Sequence, residues 1–186
     1  MQFEIKNIKI SLKVHATLLN NVEEKCLEKN LSFNRKNNFL VVKDQFVYTI
    51  FLSSKNNTNH VNITKIPELS KTGQSIRFLS EKLGLKICKE TYKVDNITAS
   101  LNLGYKISLL EIIKKYQEFS LYWDGEFTFS YCNEKFPGLF IKLKQLERKI
   151  GTIIIFSTGK VVFVGCKSVV DIQCLTSSIV AFTKMK

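Results

Sequence analysis

Two asparagines stand where strand-forming residues are expected, at matching places in two similar segments. Asn7 lies in FEIKNIKISLKV, Phe3 to Val14, and Asn96 lies in YKVDNITASLNL, Tyr92 to Leu103. Asparagine is disfavoured inside strands, and a buried amide without a partner costs about 1–3 kcal/mol. On an open sheet face, such an amide could donate a hydrogen bond to adenine N3 or thymine O2 in the minor groove of DNA. The alternative is an asparagine at a strand edge or in a turn.

The charge balance favours a polyanionic partner. The 186 residues include 28 Lys and Arg against 16 Asp and Glu, which gives a formal net charge of +12. Because cationic side chains bind phosphates, this excess favours nucleic acid as the partner. Binding to an anionic membrane usually needs a basic amphipathic helix, whereas here the basic residues are dispersed along the whole chain. We therefore expect no membrane partner.

Sequence patterns typical of catalysis and of metal binding do not occur. There is no GxSxG, HExxH or GxxxxGK, and no pair of carboxylates stands in a catalytic frame. The five cysteines form no CxxC pair, and only two histidines could assist them. We expect no enzyme activity, no cofactor, and neither a zinc site nor a disulfide framework. The thiols are interpreted as reduced residues of an intracellular protein, most of them small core residues.

The order of predicted elements is the same in the two halves of the chain. Each half is expected to run strand, helix, a meander of strands and a long helix, with the first repeat at residues 1–90 and the second at 91–186. Short connections predict antiparallel pairing, and helices on one side leave the other sheet face open. The expected fold is α+β, one pseudo-symmetric domain with helices on a convex face and an open concave face. The second half is expected to carry extra material near Leu121 to Phe129, where Asp124-Gly125 indicates a hairpin turn.

Three blocks in the second half resemble a known family. VDNITASLNLG, FPGLFIKL and IIIFSTGKVVFVGCKS occur in that order and resemble a repeat of the TATA-binding protein family. The resemblance is strong from Val94 to Ser168, whereas over Ile5 to Leu83 it is weaker and little more than the order of the predicted elements agrees. It implies a saddle of two unequal repeats that binds AT-rich promoter DNA in the minor groove and bends it. The Asn- and Lys-heavy composition indicates an AT-rich genome. The divergence from the family indicates a distant lineage, a large DNA virus or a parasite, and the expected location is the nucleus, or a viral factory or the cytoplasm for a virus.

The resemblance implies two phenylalanine wedges in each repeat, which enter base steps and kink the duplex. Matching motif positions assign Phe136 and Phe156 in the second half and Phe51 in the first, because FLSSK aligns with FSTGK. Phe39 is the expected fourth wedge, since it precedes its strand as Phe136 does, and Phe33 is its competitor because the loops differ in length. Without the resemblance, a phenylalanine in a strand is most often a core residue.

The resemblance also implies a floor of small apolar and threonine side chains against the base edges. Such a floor favours A·T pairs, because it leaves the guanine N2 amino group without a partner. The first half departs from this pattern with more polar residues, and we expect its half-site to tolerate G·C better. The floor residues are Thr98, Ile154, Val162 and Val164 in the second half and Lys9, Thr49, Asn62 and Thr64 in the first.

Lysines around the rim are expected to hold phosphates and to make binding depend on salt. Lys55 and Lys160 follow the turn after a wedge in each half. Gly159 suits a turn with positive φ, where the first half has Ser54. Further candidates, some of which are expected to be ordinary solvated side chains, are Lys135, Lys142, Lys144, Arg148 and Lys149.

Two functions from different classes remain open at this point. The first is a transcription initiation factor that bends promoter DNA and recruits a B-type factor or RNA polymerase-associated proteins through the loop at Asn133-Glu134-Lys135, which is less acidic than is usual in the family. The second is a protein-interaction subunit of a transcription complex that has lost DNA bending, which Lys9 and Asn62 in the degenerate first half favour. An exposed apolar underside favours self-association of the free protein in either case.

Overall fold

A computed structural model describes residues 2–52, 57–88, 90–119 and 125–184 of the chain. Ten strands and four α-helices lie within this part. They are β1 (Glu4–His15), α1 (Leu19–Glu28), β2 (Ser32–Lys36), β3 (Phe39–Lys43), β4 (Val47–Phe51), β5 (Thr58–Ile66), α2 (Thr72–Glu81), β6 (Lys93–Asn102), α3 (Leu109–Phe119), β7 (Glu126–Cys132), β8 (Phe136–Gln145), β9 (Arg148–Phe156), β10 (Lys160–Cys166) and α4 (Val169–Lys184).

The chain forms two compact units, residues 6–95 and residues 96–186 together with residues 1–5. Antiparallel strands run in the order β2-β3-β4-β5-β1 in the first unit and β7-β8-β9-β10-β6 in the second. In each unit the first strand therefore pairs with the last one of the meander. This arrangement confirms the predicted α+β class and antiparallel pairing. The boundary placed after residue 90 stays a prediction.

Strand β2 corrects the interpretation of the second half. The segment near Leu121 to Phe129 was expected to be extra, but β7 pairs with β8 as β2 pairs with β3. The two hairpins are equivalent, so the described part of this segment, Glu126 to Phe129, is not extra, and that part of the expectation is wrong. The sequence of β2, SFNRK, is mostly polar and exposed, and it lacks the apolar alternation that predicts a strand. Asp124 of the predicted hairpin turn lies outside the described residues.

The helices bury apolar stripes against one face of each unit's sheet. Helix α1 packs on β2 and β3, α2 on β5, and α4 on β9 and β10. Among the described residues, no helix is long and apolar enough to span a membrane. The stripes recur at helical spacing. They comprise Leu19, Val22 and Cys26 in α1 and Ile172, Leu175 and Ile179 in α4.

A buried carboxylate fixes the start of α4. Asp171 is 2% exposed, and its Oδ2 accepts the backbone N–H groups of Lys167 at 2.8 Å and Ser168 at 3.0 Å. Ser168 Oγ in turn accepts the Asp171 N–H at 3.1 Å, which completes a capping box. The Arg148 guanidinium pairs with Asp171 Oδ1. This network ties the helix to the beginning of β9.

The thiols occupy more varied places than expected. Cys26 and Cys166 are buried, and burial raises the pKa of Cys26 to about 11 and that of Cys166 to about 12. These two thiols stay protonated near neutral pH and act as small core residues. Cys88 and Cys174 are half-buried and Cys132 is exposed at the end of β7, so the prediction that most cysteines are core residues is wrong.

Gly159 fixes the turn between β9 and β10. Its φ is +84°, and a Cβ at this position would lie 2.0 Å from the carbonyl oxygen of Tyr105. The turn is closed by the Gly159 N–H, which donates to the Phe156 carbonyl at 2.9 Å. Only glycine fits here, because both the backbone conformation and the neighbouring carbonyl exclude a side chain.

We expect Gly159→Ala to lower the free energy of unfolding by about 2 kcal/mol or more, since the left-handed conformation alone costs a side chain about 1–2 kcal/mol. Urea unfolding followed by circular dichroism measures the change. The matched control is Gly73→Ala in α2, where a Cβ meets no atom within 4 Å. Alanine there favours the helix, by up to about 1 kcal/mol. A Gly159 variant as stable as the wild type would contradict the argument from strain.

Candidate nucleic-acid interface

The first unit presents alternate strand residues on the sheet face opposite its helices, which we call its open face. Inward-pointing neighbours such as Tyr48, Ile50 and Val61 are buried under the helices. The open-face side chains are half-buried, and they include every described first-half floor residue and two phenylalanines. They are Asn7 and Lys9 in β1, Phe39 and Val41 in β3, Thr49 and Phe51 in β4, and His60, Asn62 and Thr64 in β5.

The second unit has an open face of the same construction. Its alternate residues lie opposite a buried set that includes Ile97, Ile153 and Phe163. Every floor residue and wedge predicted in this half lies on the open face. The face comprises Asn96, Thr98 and Ser100 in β6, Phe136, Phe140 and Lys142 in β8, Thr152, Ile154 and Phe156 in β9, and Lys160, Val162 and Val164 in β10.

The pairing registers match the two open faces position by position. Asn62 lies between Thr49 and Ser11 in one unit, as Val162 lies between Ile154 and Ser100 in the other. The middle of the first face is therefore polar where the middle of the second is apolar. Thr64 and Val164 differ in the same sense.

Each predicted asparagine holds a bulge in the strand beside it. Asn7 Oδ1 accepts the backbone N–H of Lys65 at 2.7 Å, and Asn96 Oδ1 accepts that of Gly165 at 2.6 Å. Lys65 and Gly165 have φ values of 63° and 81°. In both strands the register slips by one residue at this point, which is the mark of a β-bulge.

These hydrogen bonds orient both amides. Because Oδ1 is engaged by the backbone, each Nδ2 is the group left to donate elsewhere. Asn96 Nδ2 donates one hydrogen to Thr98 Oγ1 at 3.2 Å and retains a second hydrogen. The two asparagines therefore offer Nδ2 donors, and each Oδ1 already accepts one backbone hydrogen bond within the protein.

The phenylalanines form one ring cluster on each open face. Phe39 and Phe51 have ring centroids 5.6 Å apart, and Phe136 and Phe156 have centroids 5.7 Å apart. Phe136 is 37% exposed. Phe33 pairs with Val42, which is buried under the helices, so the structure places this competitor on the opposite side of the sheet.

The two clusters are built from different registers. Phe39 pairs directly with Phe51, whereas Gly138 is the residue that pairs with Phe156. Phe136 lies two residues earlier, and its ring occupies the space above Gly138, where a Cβ would come within 2.5 Å of it. Phe39 begins β3 as Phe136 begins β8, which agrees with the expected position, but their pairing registers differ by two residues. Each ring nevertheless meets its partner at a similar distance.

The rim lysines differ in how they are paired. Lys160 and Lys142 are exposed on the second open face, whereas Lys144 lies 3.3 Å from the Glu126 carboxylate. Arg148 is engaged with Asp171 at the helix side and does not reach the open face. Lys135 and Lys149 are exposed, and Lys55 and Ser54 lie outside the described residues.

Lys9 has an acidic neighbour. Its Nζ lies 3.7 Å from Asp95 Oδ2, while Asp95 Oδ1 accepts a hydrogen bond from Ser11 at 3.0 Å. Lys93 lies 3.7 Å from the same carboxylate. The carboxylate offsets part of the positive charge that the first open face would otherwise carry.

Five of the open-face residues named above, Val41, His60, Ser100, Phe140 and Thr152, were missed by the sequence reasoning. Two of these, Phe140 and His60, lie beside predicted wedges. Phe140 has its ring centroid 5.0 Å from that of Phe136, and the alternation of FPGLFIKL would have placed both on one face. His60 pairs with Phe51, their ring centroids are 6.2 Å apart, and its Nε2 lies 3.0 Å from Asn62 Oδ1. No pattern in the sequence singles out His60.

We expect Asn96→Ala to destabilise the protein by about 1–3 kcal/mol, because the Gly165 N–H loses its acceptor in a part-buried place. Asn96→Asp keeps an acceptor oxygen and should cost less. Thermal unfolding of the two variants side by side tests this difference. Equal destabilisation by both would show that the bulge does not depend on the acceptor.

Comparisons with known proteins agree with one another. Residues 91–182 match the family model described as "Transcription factor TFIID (or TATA-binding protein, TBP)". The chain is 36% identical over 96 residues to "TBP-related factor" of Drosophila melanogaster, covering 51% of this chain and 38% of that protein. It is 34% identical over 79 residues to "TATA-box-binding protein" of Methanobrevibacter smithii, covering 42% of this chain and 36% of that protein.

A solved structure matches the whole chain. The structure titled "Methanococcus jannaschii TBP" aligns over 100% of both chains with a TM-score of 0.69 and 22% sequence identity. This match concerns the fold. In sequence, the chain spans less than half the length of the relatives named above.

Proposed function

Because the chain belongs to the TATA-binding protein family, we propose that it is a transcription initiation factor that binds AT-rich promoter DNA in the minor groove and bends it. The observation that carries this proposal is the repetition of one constellation on the two open faces. Each has an amide donor oriented by a bulge and a pair of adjacent phenylalanines. The protein has no catalytic role on this proposal.

The asparagine amides suit the edges of A·T base pairs. Adenine N3 and thymine O2 are acceptors in the minor groove, and they occupy similar places in A·T and T·A pairs. An oriented Nδ2 donor from Asn7 or Asn96 can therefore bind either pair. Such contacts explain a preference for AT-rich DNA without reading its strand sense.

The phenylalanine clusters suit the ends of a bent site. A partly exposed ring such as Phe136 can enter an unstacked base step, and the neighbouring ring of Phe156 supports it from the side. The apolar residues Ile154, Val162 and Val164 then lie against base edges that carry no amino group.

The partner surface we propose is the turn between β7 and β8. Lys135 N–H donates to the Cys132 carbonyl at 3.1 Å in this turn, and Glu134 and Lys135 are exposed. A B-type factor or a polymerase-associated protein would meet mixed charge here. The site of action we propose is the nucleus, or a viral factory for a virus, and the free open faces favour self-association.

We expect the wild-type chain to bend an AT-rich duplex sharply in a fluorescence energy-transfer assay. Phe136→Ala and Phe156→Ala should bind with a smaller bend and lose about 1–3 kcal/mol of binding free energy, as for a ring removed from a base stack. Leu146→Ala is the matched control, since Leu146 is 83% exposed and lies in the β8–β9 turn.

The opposite result favours the other function. The wild type would then bind DNA weakly and in a salt-sensitive way, without bending it, and the phenylalanine variants would bind equally well. This result would overturn DNA bending and support a protein-interaction role. The Lys9–Asp95 ion pair and the polar first face are the features consistent with that role.

We expect Lys160 and Lys9 to contribute differently to the salt dependence of DNA binding. Lys160→Ala should reduce the slope of log Kobs against log salt by about 0.9, the value for one phosphate contact. Lys9→Ala should change it less, because Asp95 already neutralises part of the Lys9 charge. In an Asp95→Asn background both losses should become similar. Fluorescence anisotropy between about 50 and 200 mM salt measures these slopes.

A further inference from the structure

We propose that His60 and Asn62 make the first open face able to accept an exocyclic amino group in the minor groove, which the second open face excludes. This inference rests on the proposed function and assigns His60 and Asn62 a role in specificity. It concerns the purine N2 amino group, the donor that G·C pairs add to the minor groove and that A·T pairs lack.

The position of Asn62 is the first part of the argument. It lies in the middle of the first face, directly between Thr49 and Ser11 on the neighbouring strands. Val162 holds this place in the second unit. Asparagine and valine are similar in size, so the two faces differ here in polarity more than in shape.

The chemistry of the amide is the second part. An amino group placed against valine would lose its water without gaining a partner, and an unsatisfied buried donor is costly. Against Asn62 the same group meets the amide oxygen, which has two lone pairs. One lone pair accepts from the imidazole of His60, and the other remains for the base.

His60 is the positioning residue in this arrangement. Its Nε2 lies 3.0 Å from Asn62 Oδ1, and with the proton on Nε2 the imidazole donates to the amide oxygen. The ring is held in turn beside Phe51, at a centroid distance of 6.2 Å. The amide therefore keeps its oxygen at a fixed place on the face, and Nδ2 can still donate to an A·T pair.

Neighbouring residues extend the same contrast. Thr49 and Thr64 place hydroxyl groups where the second face has Ile154 and Val164. A hydroxyl can accept or donate, so these positions also tolerate either kind of base edge. Asn62 is the residue on which the test is designed, because its amide oxygen is held by His60 and valine stands at the matching position of the second face.

The experiment uses duplexes with single 2,6-diaminopurine·thymine pairs placed at each position of an A·T site. Diaminopurine adds only the N2 amino group to the minor groove and leaves the thymine partner unchanged. Affinity and bend angle are measured on each duplex with the full chain. In the half bound by the first unit the wild type should lose less than about threefold, and in the other half about tenfold, the cost typical of one wrong base pair.

Three variants assign the effect to residues. Each penalty is measured against the variant's own affinity for the all-A·T duplex. Asn62→Val should raise the penalty to about tenfold in the half-site bound by the first unit and leave it unchanged in the other. The reciprocal Val162→Asn should lower the penalty in the other half. His60→Phe keeps a ring beside Phe51 and removes the donor to Asn62 Oδ1, so the penalty in the first half-site should rise.

The outcomes separate this inference from the proposed function. Normal binding and bending of the A·T duplex with equal penalties in both halves, or penalties unmoved by Asn62→Val, would overturn the inference alone. Absence of binding and bending on the A·T duplex would overturn both.

Discussion

A side-chain amide that closes a bulge is the interaction on which both open faces depend. In each unit a residue in the left-handed region kinks the last strand of the meander, and an asparagine oxygen satisfies the N–H that the kink removes from the ladder. The bond occupies one lone pair of the asparagine oxygen and leaves the Nδ2 donor directed elsewhere. One hydrogen bond thus fixes the bulge in the strand and leaves the Nδ2 donor as the group that the asparagine presents. Lys65 tolerates a conformation that suits glycine, and Gly165 adopts it without a side chain.

The sequence predicted the parts of the fold that repeat or alternate. The paired segments around Asn7 and Asn96, the four helices and most strands follow from apolar periodicity, and the resemblance placed the floor residues on alternate positions. Strand β2 was missed because pairing with β3, and not burial of its own side chains, makes it a strand. The bulge hydrogen bonds and the Lys9–Asp95 pair join residues 58 to 86 positions apart, and no local pattern encodes such contacts.

The ring clusters show how two different sequences reach a similar local arrangement. In the second unit Gly138 pairs with Phe156 and leaves room for the ring of Phe136, two residues earlier. In the first unit the ring belongs to Phe39, the residue that pairs with Phe51. The choice of Phe39 from its place before its strand does not reveal this difference in register. What is shared is the distance between rings, which reflects favourable aromatic packing and not chain position.

The central residues of the two open faces differ in chemistry. The two repeats are therefore not equivalent as binding surfaces, although their topology is the same. Two identical faces would bind a near-palindromic site equally well in either orientation. With Asn62 in one face and Val162 in the other, the two orientations have different free energies on any site whose halves differ. On the proposed function and the role inferred for Asn62, this contrast favours one orientation of the bound protein on such a site.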